Sequence, residues 1–79
     1  MKAKVYITLK NGVLDPQGKT VQNALHHLAF NEVSDVRIGK YIELELKGSN
    51  RAAAKKKVAA MCEKLLANTV IESYRYEIE

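Results

Sequence analysis

Residues 12 to 20 read GVLDPQGKT, a stretch whose residue types suggest phosphate chemistry. A glycine, a spacer and Gly18-Lys19-Thr20 follow an apolar run. A phosphate-cradling loop uses that order because consecutive backbone N–H groups must aim at one anion. The motif requires a four-residue spacer. Here Val13, Leu14, Asp15, Pro16 and Gln17 make it five. Pro16 has no N–H to offer, and Asp15 sets a carboxylate where the anion would sit. Asp15-Pro16 instead reads as a helix start, with aspartate accepting from free backbone N–H groups and proline at the first helical position.

The other reactive side chains form no constellation. His26 and His27 are neighbours on a helical stretch, so they point about 100° apart and cannot share a metal as an i, i+4 pair can. Glu43 and Glu45 share one strand face and read as exposed charges that discourage edge aggregation. Cys62 falls on an apolar stripe, where a thiol acts as a small hydrophobe. No base can be named beside it.

Chemistry of any kind would rest on the elements. Ala3, Val5, Ile7 and Leu9 alternate with Lys2, Lys4, Thr8 and Lys10, which predicts a strand with one buried face. Asn11-Gly12 ends it. Val21, Ala24, Leu25 and Leu28 recur at i, i+3, i+4 and i+7, one apolar stripe on a helix ending near Ala29 to Asn31. Val36, Ile38, Ile42, Leu44 and Leu46 share one parity across Gly39-Lys40. Two paths keep that parity clean: a hairpin with a three-residue loop from Gly39 to Tyr41, or one long strand bent at Gly39. Ser49 or Asn50 caps a second helix, whose stripe is Ala54, Val58, Met61, Cys62, Leu65 and Leu66, with Asn68 as its stop. Val70, Tyr74, Tyr76 and Ile78 mark a last strand.

The expected fold is therefore α+β: a two-layer sandwich of ferredoxin-like kind, with an antiparallel sheet and two helices on one face. Its order is β-α-β-β-α-β, or the same with one bent strand in place of the hairpin. Residues 1–79 form a single domain. A chain this small buries only about 60% of its unfolded surface, so completion by dimerisation is expected.

Charge is uneven. Residues 47 to 64 hold six basic groups and one acidic group, against a net charge of +4 for the whole chain. That segment suits an anionic partner or a solvated helix face. Nucleic acid is not the expected partner. Tyr6 and Tyr41 could face outward, but no aromatic-rich, glycine-punctuated central strand accompanies them. No apolar run could span a membrane, and the start MKAKVYITLK does not read as a secretory signal. One cysteine makes no internal disulfide, in keeping with a cytoplasmic location.

Three blocks, GVLDPQGKTVQNALHHL, VRIGKYIELEL and LLANTVIESY, closely resemble the small PurS-type subunit of phosphoribosylformylglycinamidine synthase. The likeness runs nearly end to end. Two residues depart from the family pattern: Thr69, where proline is common, and Ala29, where glycine is common.

The resemblance implies a non-catalytic adaptor in de novo purine biosynthesis. The whole enzyme converts formylglycinamide ribonucleotide, glutamine and ATP to formylglycinamidine ribonucleotide, glutamate, ADP and phosphate. It implies two partners, a large synthetase subunit and a glutaminase subunit, and self-association as a homodimer or tetramer. No cofactor is expected in this chain; ATP and Mg belong to the synthetase. The expected contact surface is Leu14, Asp15, Gln17 and Gly18 with Arg37, Gly39, Lys40, Tyr41 and Glu43, since both blocks match the family while holding polar residues with no core duty. The competing expectation is a stand-alone ferredoxin-like module binding a small molecule or RNA.

Overall fold

The computed structural model describes residues 1–79. The chain runs β1 (Lys2–Leu9), α1 (Pro16–His27), β2 (Gly39–Glu45), α2 (Arg51–Met61) and β3 (Glu72–Ile78). The sheet has three antiparallel strands in the order β2-β1-β3. This is an α+β, ferredoxin-like arrangement without a central hairpin. Neither path past Gly39 is taken: no hairpin forms, and the strand starts at Gly39 itself instead of bending there. Ladder pairing begins where Gly39 meets Thr8, and Val36 and Ile38 precede it unpaired.

Register explains the two faces. Ala3, Val5 and Ile7 lie opposite Leu44, Ile42 and Lys40 on one side and Ile78, Tyr76 and Tyr74 on the other. Paired residues share a face. That face holds the core, where Ala3, Val5 and Ile7 pack with Val58, Cys62 and Ala67. The opposite face carries Lys2, Lys4, Tyr6, Tyr41, Glu43 and Arg75. There Lys2 pairs with Glu43 at 2.7 Å and Lys4 with Glu79 at 2.5 Å. Backbone bonds beyond the strands seal the ends of the ladder, including Lys10 N–H to Ile71 O at 2.8 Å and Glu79 N–H to Lys2 O at 2.8 Å.

Both helices start as their caps dictate. Asp15 accepts from Gly18 N–H at 2.9 Å with Pro16 in the first turn, and Asn50 accepts from Ala53 N–H at 3.2 Å. They differ in what they cover. α2 lays Ala54 and Val58 on the sheet. In α1 the only buried residue is Gly18. Its stripe stays largely open, with Leu28 67% exposed and Val21, Ala24 and Phe30 also exposed. The molecule is accordingly long, 49 × 24 × 14 Å, with a radius of gyration of 16.0 Å against about 12 Å for a compact chain of this length.

α2 ends in a π-turn over Cys62–Leu66, closed by Ala67 N–H to Cys62 O at 3.0 Å. The extra residue rotates the last turn. Leu65 was expected on the buried stripe and is instead 83% exposed, while Ala67 takes the inward place. The last strand also begins later than expected. Val70 lies in the turn before it and is 80% exposed.

α1 closes with the 6→1 bond from Phe30 N–H to Leu25 O, 2.9 Å, and the bond from Ala29 N–H to His26 O, 3.0 Å. This pair is the Schellman geometry, which wants glycine at its left-handed position. Ala29 occupies that position at φ 73°. A left-handed alanine costs about 1–2 kcal/mol, partly offset by the greater unfolded freedom of glycine. Ala29→Gly should therefore stabilise the chain by about 0.5–1 kcal/mol and raise Tm by a few degrees in a thermal melt. An unchanged or lower Tm would contradict the strain assigned to Ala29.

Candidate functional site

The LDPQG and VRIGKY blocks are far apart in sequence, and one carboxylate joins them. Asp15 is buried, 7% exposed. Its Oδ1 takes the Gly18 N–H inside its own block, and its Oδ2 takes the Ile38 N–H of the other block at 2.8 Å. These two backbone donors hold its carboxyl below the usual carboxylate range, and the nearby Arg37 guanidinium adds to the effect. Arg37 fastens the same crossing from the outside. Its Nη2 donates to Leu9 O at 3.1 Å and Lys10 O at 3.0 Å, and its Nη1 donates to Val13 O at 3.4 Å.

Gly18 completes the junction by having no side chain. A Cβ there would lie 2.2 Å from Val36 O and 2.9 Å from Asp15 Oδ2. Gly39 is as tight on the sheet side, where a Cβ would meet Ile7 O at 2.5 Å. Of the polar residues in these blocks, Asp15 and Arg37 thus carry a structural duty, Asp15 from a buried position and Arg37 from the surface. Both build the turn. Ile38 was read as a plain strand residue, and its sequence carries no signal that its N–H would serve a side chain.

What stays outside the clamp at this pole is Leu14, Gln17 and Lys40, all exposed. An open groove of about 230 Å³ runs between the blocks, lined by Asp15, Pro16, Gln17, Ile38, Gly39 and Lys40, together with Leu9 and Glu72. Lys40 reaches Glu72 at 3.7 Å across it. Tyr41 and Glu43 lie elsewhere, on the outer sheet face. Tyr41 sits 5.2 Å from Tyr6, and Arg75 covers the other ring at 3.9 Å. The structure thus brings together most of the expected contact residues and sets Tyr41 and Glu43 apart from them.

The remaining reactive groups are accounted for locally. Lys2 holds the Glu43 carboxyl low, as suits a salt-bridged surface group. Burial pushes the Cys62 thiol up, away from the nucleophilic thiolate. His26 Nε2 meets Val33 O at 2.7 Å and, with Gln22 Nε2 on Ser34 O at 3.2 Å, ties α1 to the segment that follows it. No group of three or more His, Cys, Asp or Glu is placed to hold a metal ion. No helix is long and apolar enough to cross a membrane.

Comparison with known proteins gives a uniform result. The profile of PurS, phosphoribosylformylglycinamidine (FGAM) synthase, matches residues 2–79. The phosphoribosylformylglycinamidine synthase subunit PurS of Bacillus subtilis is 63% identical over 78 residues, covering 99% of this chain and 92% of its own length. The solved structure of B. subtilis PurS superposes with a TM-score of 0.88, covering 99% of this chain and 96% of that one. A chain in the structure of PurLQS from Thermotoga maritima, 33% identical, superposes with a TM-score of 0.87, covering 96% and 93%.

Proposed function

The chain belongs to the PurS family of phosphoribosylformylglycinamidine synthase subunits, and from that premise we propose that it holds the enzyme's glutaminase and synthetase together. It is a non-catalytic subunit of that ligase, which serves purine biosynthesis. The observation that carries the adaptor reading is the close superposition, over nearly its whole length, on a chain of the three-part PurLQS assembly.

The physics of the reaction gives the adaptor its work. Ammonia released into water is protonated and diluted. Holding its source against its consumer raises the effective concentration without any chemistry in the holder. A rigid pole clamped by Asp15 and Arg37 suits that task, and it presents Leu14, Gln17 and Lys40 outward. ATP and Mg are assigned to the synthetase, and the whole assembly to the cytoplasm.

The chain is also a homodimer in this reading. α1 exposes Val21, Leu28 and Phe30, while Ile42 and Leu44 on β2, and Leu46 just past its end, are only partly buried on the core face. α2 is packed toward β3, leaving the β2 side of that face thinly covered. A helix lacking a sheet and a sheet lacking a helix can complete each other by two-fold exchange. The stand-alone alternative has no comparable support.

The adaptor reading is tested with Gln17→Ala combined with Lys40→Glu. We expect unchanged circular dichroism, assembly with the other two subunits weakened about tenfold or more, and glutamine-dependent activity lost in proportion. Activity with free ammonia should persist. Undiminished glutamine-dependent activity would remove this pole from the contact surface.

A further inference from the structure

α2 departs from its own pattern at one place, and that place adjoins the most uneven charge in the chain. Leu65 is three residues beyond Cys62 and seven beyond Val58, both fully buried. An unbroken α-helix would bury it with them. The π-turn swings it outward, and such turns are frequent at functional sites. Just past it, Val70 stands 80% exposed in the turn that leads into β3. Two aliphatic side chains five residues apart, one in the π-turn and one in the turn that follows it, are thus presented to solvent.

The helix that leads there is cationic. Arg51, Lys55, Lys56, Lys57 and Lys64 are exposed and none makes an ion pair, whereas Lys2, Lys4, Lys40 and Arg75 are all paired. Glu63, the one acidic residue of α2 and its π-turn, accepts from the Tyr74 hydroxyl at 2.9 Å. The uncompensated charge on this surface is therefore positive.

We propose that the outer face of α2 and the Leu65–Val70 segment dock an acidic protein surface with an apolar centre, carried by one of the other subunits of the synthase. The proposal rests on the adaptor reading and adds a second contact surface to the Gln17–Lys40 pole. Charge complementarity sets the rim, and two desolvated aliphatic anchors set the centre. Nucleic acid is the poorer fit. Bases stack on aromatic rings, and the tyrosine pair, half-buried Tyr6 and exposed Tyr41, lies on the opposite face of the sheet from α2. A second copy of the chain is the poorer fit as well, since two identical cationic faces repel.

The test uses the full chain with the synthetase and glutaminase subunits, each titrated separately in the presence of glutamine and Mg-ADP. Two double variants are compared with wild type: Leu65→Ser with Val70→Ser, and Lys55→Glu with Lys56→Glu. Both should weaken binding to the same subunit by about tenfold or more, and wild-type binding to that subunit should fall as salt is raised. Circular dichroism and the mass by light scattering should not change. Either variant binding like wild type would overturn the proposal while leaving the adaptor reading intact. So would a changed mass, which would name a second copy as the occupant. Loss of affinity for a single-stranded RNA oligonucleotide with subunit binding unaltered would do the same. A wild-type chain that binds neither subunit would overturn the adaptor reading and this inference together.

Discussion

Alanine in place of Gly18 should lower stability by about 2–3 kcal/mol, the upper part of the roughly 1–3 kcal/mol range for forcing an extra carbon into a packed site. The new Cβ would lie 2.2 Å from Val36 O, a contact that no side-chain rotation can relieve, because the obstacle is backbone. Nor can that backbone drift away freely. Ile38 N–H is bound to Asp15 Oδ2, and Arg37 is bound to Leu9 O, Lys10 O and Val13 O. The clash must break one side of the junction or push α1 off its start. Domains carry roughly 0.05–0.15 kcal/mol per residue, so such a loss removes a large share of what a chain this small can have. Urea midpoints at one fixed protein concentration would show it. Asn23→Ala, on the exposed side of the same helix, should stay within about 0.5 kcal/mol of wild type. Equal midpoints for the two variants would mean that the crossing is looser than the structure shows.

That junction also marks how far the sequence could be read. Asp15-Pro16 announced its helix because capping is local: the carboxylate, the proline and the N–H three residues on are neighbours in the chain. β1 was legible for the same kind of reason, since Ala3, Val5 and Ile7 all meet one buried face at period two. Ile38 and Arg37 were not. Their partners are Asp15 and the carbonyls of residues 9, 10 and 13, more than twenty positions away, and nothing in the local pattern distinguishes them from strand residues. Leu65 was misplaced because periodicity assumes a constant turn, and one extra residue in the π-turn rotates every later position. Val70 has the parity of a strand residue but falls in the turn fixed by Asn68, whose side chain takes the Val70 N–H. At the site, the residues that answer to the family blocks were found by their wording. Their division into clamp and exposed surface follows from contacts between residues far apart in sequence.

The α1 stripe was legible as well, and its burial was the part that a single chain did not supply. If the proposed dimer completes it, Leu28→Asp should abolish self-association. Wild type should then run at twice the 8.9 kDa of one chain by light scattering, and the variant at 8.9 kDa. The magnitude follows from what would be buried. A carboxylate taken from water into an apolar contact without a partner costs several kcal/mol, and about 4 kcal/mol is already roughly a thousandfold in the dissociation constant. The cost falls almost wholly on the dimer, because Leu28 is 67% exposed in the chain itself and aspartate there is hydrated. Asn23→Asp adds the same charge about half a turn away from the stripe and should leave the mass at twice that of one chain. A Leu28→Asp variant that kept the doubled mass would place the interface elsewhere, and a wild type at 8.9 kDa would remove self-association from the proposal. Position 28 lies at the far end of α1 from Gln17, so the variant also separates two requirements. If it keeps glutamine-dependent activity as a monomer, the Gln17–Lys40 pole suffices for assembly. If it loses that activity while ammonia still serves, the adaptor works only as a pair.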